Sequence, residues 1–120
     1  MTGGHILLVE DDVDLLSVLT EVLEQEGYRV SAASRRSQAR AVLHREQVDL
    51  IVADSALRGG NGDDVAKAAV RRNVPVIMMS GEPDRILRLS GGPYPFLEKP
   101  FRAAVLVQLV AQILGKTDGS

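Results

Sequence analysis

The sequence predicts a doubly wound α/β domain: a five-stranded parallel sheet with helices on both faces. Three observations predict it. Short continuous apolar runs at 6–9, 50–53 and 76–79 suit central strands buried on both sides. Amphipathic segments with helical spacing follow the runs, giving five strand–helix alternations. Each of these three runs then meets a polar or charged residue, as a strand does where it emerges at a sheet edge.

The elements follow in order. The first strand covers 5–10. A helix follows, with Leu15, Leu16, Val18, Leu19, Val22 and Leu23 at helical spacing. Asp11 or Asp12 could cap its start, and Gly27 ends it. The second strand covers 28–32. The second helix, 34–46, turns Ala39, Val42 and Leu43 inward. The third strand closes the run 48–54 at Asp54. A loop at 58–62, built of Arg58-Gly59-Gly60-Asn61-Gly62, leads to a helix over 63–72. The fourth strand covers 74–79. A short helix over 82–89 uses Pro83 in its first turn, and Ser90-Gly91-Gly92-Pro93 breaks it. The fifth strand covers 95–98 and the last helix 103–114. Residues 115–120 form a polar tail. The expected domain is therefore 5–114.

Bulk properties narrow the function. The 120 residues fit one domain with a real core. A hydrophobic fraction of 45% and a charged fraction of 25% match an ordinary globular chain. A net charge of -2 favours neither a nucleic-acid backbone nor an anionic membrane. The absence of cysteine removes disulfides and thiolate zinc sites and fits a reducing compartment. No apolar stretch is long enough to span a bilayer, and the start lacks a basic segment followed by an apolar one. A cytoplasmic protein without membrane contact is expected. Two Phe, two Tyr and no Trp leave no platform for stacking bases. His5 and His44 have no metal-like spacing, and Met78 and Met79 read as core.

The chemistry gathers at one edge. Right-handed crossovers place every strand's carboxyl end together, and that edge is where open α/β sheets bind ligands. Glu10, Asp11 and Asp12 end the first strand and Asp54 the third. Ser80 ends the fourth, and Glu98-Lys99 the fifth. Crowded carboxylates repel and call for a cation or a proton. Mg2+ takes oxygen ligands, usually one or two carboxylates with water and a phosphate, and suits this set. A carboxylate such as Asp54 can act as nucleophile and form an aspartyl-phosphate, with a metal and Lys99 placing positive charge on the phosphoryl oxygens. The bland alternative has Asp11 and Asp12 capping a helix, Asp54 and Lys99 at solvated turns, and Ser80 as a cap. Joint placement on successive strands argues against it.

With these pieces in place, the chain closely resembles the receiver domain of two-component response regulators, over roughly 5–114. The matching segments are Ile6-Leu7-Leu8-Val9-Glu10-Asp11-Asp12, Asp49-Leu50-Ile51-Val52-Ala53-Asp54, Gly62, Val76-Ile77-Met78-Met79-Ser80-Gly81 and Phe96-Leu97-Glu98-Lys99-Pro100-Phe101. The resemblance implies a flavodoxin-like strand order of 2-1-3-4-5. It implies Asp54 as phosphoacceptor, with Asp11 and Asp54 as direct metal ligands. Glu10 would act through water, and the Ala56 backbone carbonyl would complete the set. It makes Ser80 and Phe96 the switch residues and Lys99 the conserved-type lysine, with a bond before Pro100 that is commonly cis. A histidine kinase or histidine phosphotransfer protein would be the donor, Mg2+ the cofactor, and a downstream protein the target. Such a domain catalyses only its own phosphorylation and dephosphorylation.

The chain departs from the family in three places. Leu57-Arg58 replaces the usual Met-Pro, Phe96 lacks a tyrosine hydroxyl, and the fourth helix is short by about one turn. A receiver-like binding module that ignores phosphorylation is the alternative reading, and the complete set Glu10, Asp11, Asp54, Ser80 and Lys99 argues against it. A haloacid-dehalogenase-like phosphatase would carry Asp-x-Asp after the first strand. A nucleotide-binding fold would carry a glycine-rich loop there. Here Asp54 lies on the third strand and is followed by Ser55-Ala56, and no glycine-rich loop follows the first strand. No effector domain is expected beyond the last helix, and with it no direct nucleic-acid contact.

Overall fold

The computed structural model describes residues 4–55, 63–82 and 95–115. Five strands, β1 (His5–Val9), β2 (Arg29–Ala33), β3 (Leu50–Asp54), β4 (Val76–Ser80) and β5 (Phe96–Glu98), form one parallel sheet in the order 2-1-3-4-5. Four described helices connect or follow them: α1 (Val13–Gln25), α2 (Arg36–Arg45), α3 (Asp63–Arg71) and the C-terminal helix α4 (Ala103–Leu114). The doubly wound order expected from the sequence is the order found. The loop at 58–62, the short helix over 82–89 beyond its first residue, its break at 90–93 and the tail beyond Gly115 lie outside the described residues.

The strands alternate between two cores. Leu7, Val9, Ile51, Ala53 and Met78 face α2 and α3, where Ala39, Val42, Leu43, Val65 and Ala69 pack on them. Ile6, Leu8, Leu50, Val52, Ile77 and Met79 face α1 and α4, meeting Leu16, Leu19, Leu23, Leu106 and Val110. The three central strands are buried on both faces, which is why they read as continuous apolar runs rather than alternating ones. Val18, one of the apolar residues at helical spacing in α1, is 53% exposed. It sits two residues from Leu16, half a turn away from the buried line.

Several boundaries move for identifiable reasons. The second strand starts at Arg29 instead of Tyr28, because the Tyr28 N–H donates to the Leu23 carbonyl and closes α1. It runs on to Ala33, paired with Val9, and the Ala33 carbonyl accepts from Glu10 N–H. The fourth strand starts at Val76, since Val74 N–H is held by the Ala69 carbonyl at the exit of α3. It includes Ser80, whose carbonyl accepts from Lys99 N–H at 2.8 Å. The second helix is shorter than its pattern: Ser34 N–H and Oγ both donate to Gln38 Oε1 ahead of its first turn.

Candidate functional site at the carboxyl edge of the sheet

Glu10 follows β1, Asp54 ends β3 and Lys99 follows β5. Parallel pairing of these strands brings the three residues together although they are far apart in sequence. Lys99 Nζ donates to Glu10 Oε1 at 2.6 Å and to Asp54 Oδ2 at 2.8 Å. Glu10 Oε2 accepts from Asp12 N–H at 3.0 Å. One oxygen from each of Glu10, Asp11 and Asp54 lies within 4.8 Å of the others. Glu10 is 1% exposed and Asp54 6%, whereas Asp11 is half-buried at the rim.

Burial pushes the Glu10 carboxyl above its ordinary 4.5, by more than the Lys99 ammonium and the Asp12 N–H pull it down. Burial pulls the Lys99 ammonium down, but its hydrogen bonds to Asp54 and Glu10 outweigh that, and the net shift is upward. The two upward shifts have different causes: burial for Glu10, and the adjoining carboxylates for Lys99. A single ammonium faces two buried carboxylates, with Asp11 beside them, and cannot neutralise all three. The residual negative charge suits a divalent cation. The donors are all carboxylate oxygens and lie close enough to share one ion, so the residues fit Mg2+.

The remaining predicted residues sit nearby in different ways. Ser80, 1% exposed, is the last residue of β4, one step beyond Met79, the register partner of Asp54. Its Oγ accepts from Glu82 N–H at 3.2 Å, so the capping bond of the bland reading is present at this residue. Phe96 begins β5 opposite Met78 and is half-buried against the core under α2 and α3. The Lys99–Pro100 bond is cis. Ala56 lies outside the described residues. The choice between Asp11 and Asp12 as cap is settled: Asp12 Oδ1 accepts from Asp14 and Leu15 N–H at 3.1 and 3.2 Å, which leaves Asp11 to the cluster.

Sequence reading missed Ser55, which is buried directly after Asp54 with its N–H donating to the Met79 carbonyl. A serine immediately after a strand-end acid was the available signal. It also missed the partners of His5. At the opposite edge the His5 ring meets the Gln47 carbonyl and Ser31 Oγ at 2.9 and 2.7 Å, and the His5 backbone N–H donates to Asp49 Oδ2 at 2.7 Å. His5 thus joins β1, β2 and the entry to β3, a packing role far from the acidic cluster.

A parallel sheet of this order with an acidic cluster and a lysine at its carboxyl edge defines the CheY-like class of receivers. The model of the response regulator receiver domain matches residues 6–111, and the chain belongs to that family. It is 39% identical over 121 residues to the transcriptional regulatory protein CpxR of Escherichia coli (strain K12), covering 98% of this chain and 52% of CpxR. The chain therefore spans about half the length of that curated relative. The non-phosphorylated HemR receiver domain from Leptospira biflexa superposes with a TM-score of 0.80 at 31% identity, covering 98% of each chain. The response regulator TrrA from Thermotoga maritima, solved in complex with Mg(2+)-BeF, shares the fold with a TM-score of 0.82 at 24% identity, covering 95% of this chain and all of TrrA. The expected absence of a nucleic-acid partner finds no support, because CpxR is itself a transcriptional regulator. Among the described residues, no helix is long and apolar enough to cross a membrane.

Proposed function

We propose that Asp54 accepts a phosphoryl group from a phosphohistidine on a histidine kinase or histidine phosphotransfer protein, in a reaction that requires Mg2+. The modified domain then changes its affinity for a downstream protein. The observation that carries this reading is the meeting of Glu10, Asp11, Asp54 and Lys99 at one sheet edge.

An Asp54 carboxylate oxygen attacks phosphorus. A P–O bond forms as the P–N bond to the donor imidazole breaks; the ring nitrogen keeps the electron pair and takes a proton from solvent. Bound Mg2+ supplies positive charge beside the phosphoryl oxygens. Asp11 and Asp54 would hold it directly, with the Ala56 carbonyl. Both Glu10 oxygens already have partners, Lys99 and Asp12 N–H, which supports a role for Glu10 through water. Lys99 donates to Asp54, and in this reading its ammonium follows the new charge onto a phosphoryl oxygen. Ser80 Oγ accepts from Glu82 N–H, which leaves its hydroxyl proton for a phosphoryl oxygen.

The magnitudes set the size of the switch. A charge-assisted hydrogen bond from Ser80 contributes about 1.5–3 kcal/mol. Lys99 already touches two carboxylates, so its contribution is the difference between two ion pairs and not the whole of one. Reversing a population from 1:99 to 99:1 takes about 5.5 kcal/mol. Ser80 and Lys99 together therefore shift the equilibrium in part, and the downstream partner completes it.

The test is direct. Incubated with acetyl phosphate and Mg2+, the protein should gain one phosphoryl group by intact mass. Chelating the metal or substituting Asp11→Asn should slow that gain by tenfold or more, on the order of one lost charged ligand. Modification at the same rate without metal would rule the reading out.

A further inference from the structure

The charges of this chain are segregated along its length. Residues 5–28 contain seven acids and no Lys or Arg, whereas residues 29–45 contain five Arg and no acid. The fold turns this into opposite faces: α1 lies on one side of the sheet, and α2 with α3 on the other. Where α2 and α3 meet, a cleft of about 190 Å³ is lined by Arg40, Leu43, His44, Ala68, Arg71 and Arg72. Its lining combines two features: Leu43 is buried and Ala68 half-buried, while Arg40, His44, Arg71 and Arg72 are exposed. No acidic side chain is among these lining residues.

Part of this is ordinary helix chemistry. Cations favour helix carboxyl ends. Arg71 Nε donates to the Lys67 carbonyl and an Arg72 guanidinium nitrogen to the Ala68 carbonyl, at 3.5 and 3.4 Å. Those long bonds use one donor of the five on each guanidinium. They do not account for Arg40, which stands mid-helix and across the cleft from Arg71 and Arg72. Like charges facing each other across a cleft repel until an anion sits between them.

We infer that the α2–α3 cleft is a docking surface for an acidic segment of a partner protein, one that sets an apolar side chain on Leu43 and Ala68 and carboxylates against Arg40, Arg71 and Arg72. Guanidinium binds carboxylate through paired hydrogen bonds, which suits an arginine rim. A protein segment fits better than a nucleic acid for two reasons. The apolar floor has no use for a sugar–phosphate backbone. A polyanion longer than the Debye length of about 8 Å also meets the rest of a chain whose net charge is -2. Both helices run from the carboxyl edge of the sheet back to its amino edge, so their last turns lie away from Asp54. A partner bound there leaves the acidic cluster open, and the inference does not depend on phosphorylation.

The experiment titrates the whole chain with a short peptide of alternating glutamate and leucine, read by amide chemical shifts and by anisotropy of a labelled copy. Shifts should concentrate at Arg40, His44, Ala68 and Arg71. Arg40→Glu should weaken binding about tenfold, Arg40→Gln by less, and Arg102→Glu, at the start of α4, by no more than about twofold. Thermal melts of the variants separate lost binding from lost folding, and Arg40→Gln keeps the test informative if the reversal unfolds the chain. Equal weakening by Arg102→Glu would reduce the effect to net charge and overturn the inference. So would an absence of shifts in the cleft, or tighter binding of a short duplex DNA to the same residues. The same shifts appearing when the protein alone is concentrated would assign the cleft to a second copy through its acidic α1, which also overturns it.

Discussion

Asp11 and Asp12 carry the same side chain one residue apart and do different things. Asp12 caps α1, while Asp11 joins the carboxylate cluster. Sequence alone left either as the cap, because the choice depends on which carboxylate reaches the N–H groups two and three residues ahead. Asp12→Ala should lower stability by about 1 kcal/mol in urea unfolding and leave Mg2+ affinity unchanged. Asp11→Asn should do the reverse, weakening Mg2+ in calorimetry with little loss of stability. Exchanged outcomes would exchange the roles. Tyr28 gives a pH-dependent case. Burial, with the Glu26 charge adding, pushes its phenol above the ordinary 10.0. The folded state then binds the proton more tightly than the unfolded one. The stabilisation is complete below about pH 10 and is lost as pH rises through the folded value. Urea midpoints should therefore fall more steeply with alkaline pH in the wild type than in Tyr28→Phe. Parallel curves would show that the phenol does not contribute.

At the scale of elements, the central strands were legible because burial on both faces writes continuous apolar runs into the sequence. Helix ends were less so, since they depend on single hydrogen bonds. The close of α1 shows why. Gly27 has a φ of 96°, and Tyr28 N–H reaches back to the Leu23 carbonyl. A glycine there was readable as a stop; the consequent start of β2 at Arg29 was not. Gly27→Ala should cost about 1–2 kcal/mol, because an L side chain is strained at positive φ. Thermal unfolding checks it, and an unchanged Tm would mean that the turn relaxes. Helical spacing alone did not separate the exposed Val18 from the buried Leu16, Leu19 and Leu23, since an apolar residue on a mostly apolar helix does not by itself declare its face.

Across the whole molecule, the acidic edge was legible as a set and hidden in its bonding. Four strand ends named Glu10, Asp54, Ser80 and Lys99, but spacing cannot reveal that Lys99 bridges Glu10 and Asp54. That bridge ties β5 to β1 and β3, and its loss leaves Glu10 buried without its cation. A broken buried pair costs about 3–5 kcal/mol. The Lys99 side chain is 23% exposed, so Lys99→Ala in metal-free protein should cost nearer to about 2 kcal/mol. An equal unfolding midpoint would show that Glu10 finds other compensation. The central claim is that Asp54 is the acceptor, and mapping the modified residue tests it most directly. After reaction with acetyl phosphate and Mg2+, borohydride reduction converts an aspartyl-phosphate to homoserine, which peptide mass spectrometry locates. The proposed acceptor role predicts homoserine at position 54 alone, and no phosphoryl gain in Asp54→Asn. Equal phosphorylation of Asp54→Asn, or label on Asp11 or Asp12 in the wild type, would contradict it.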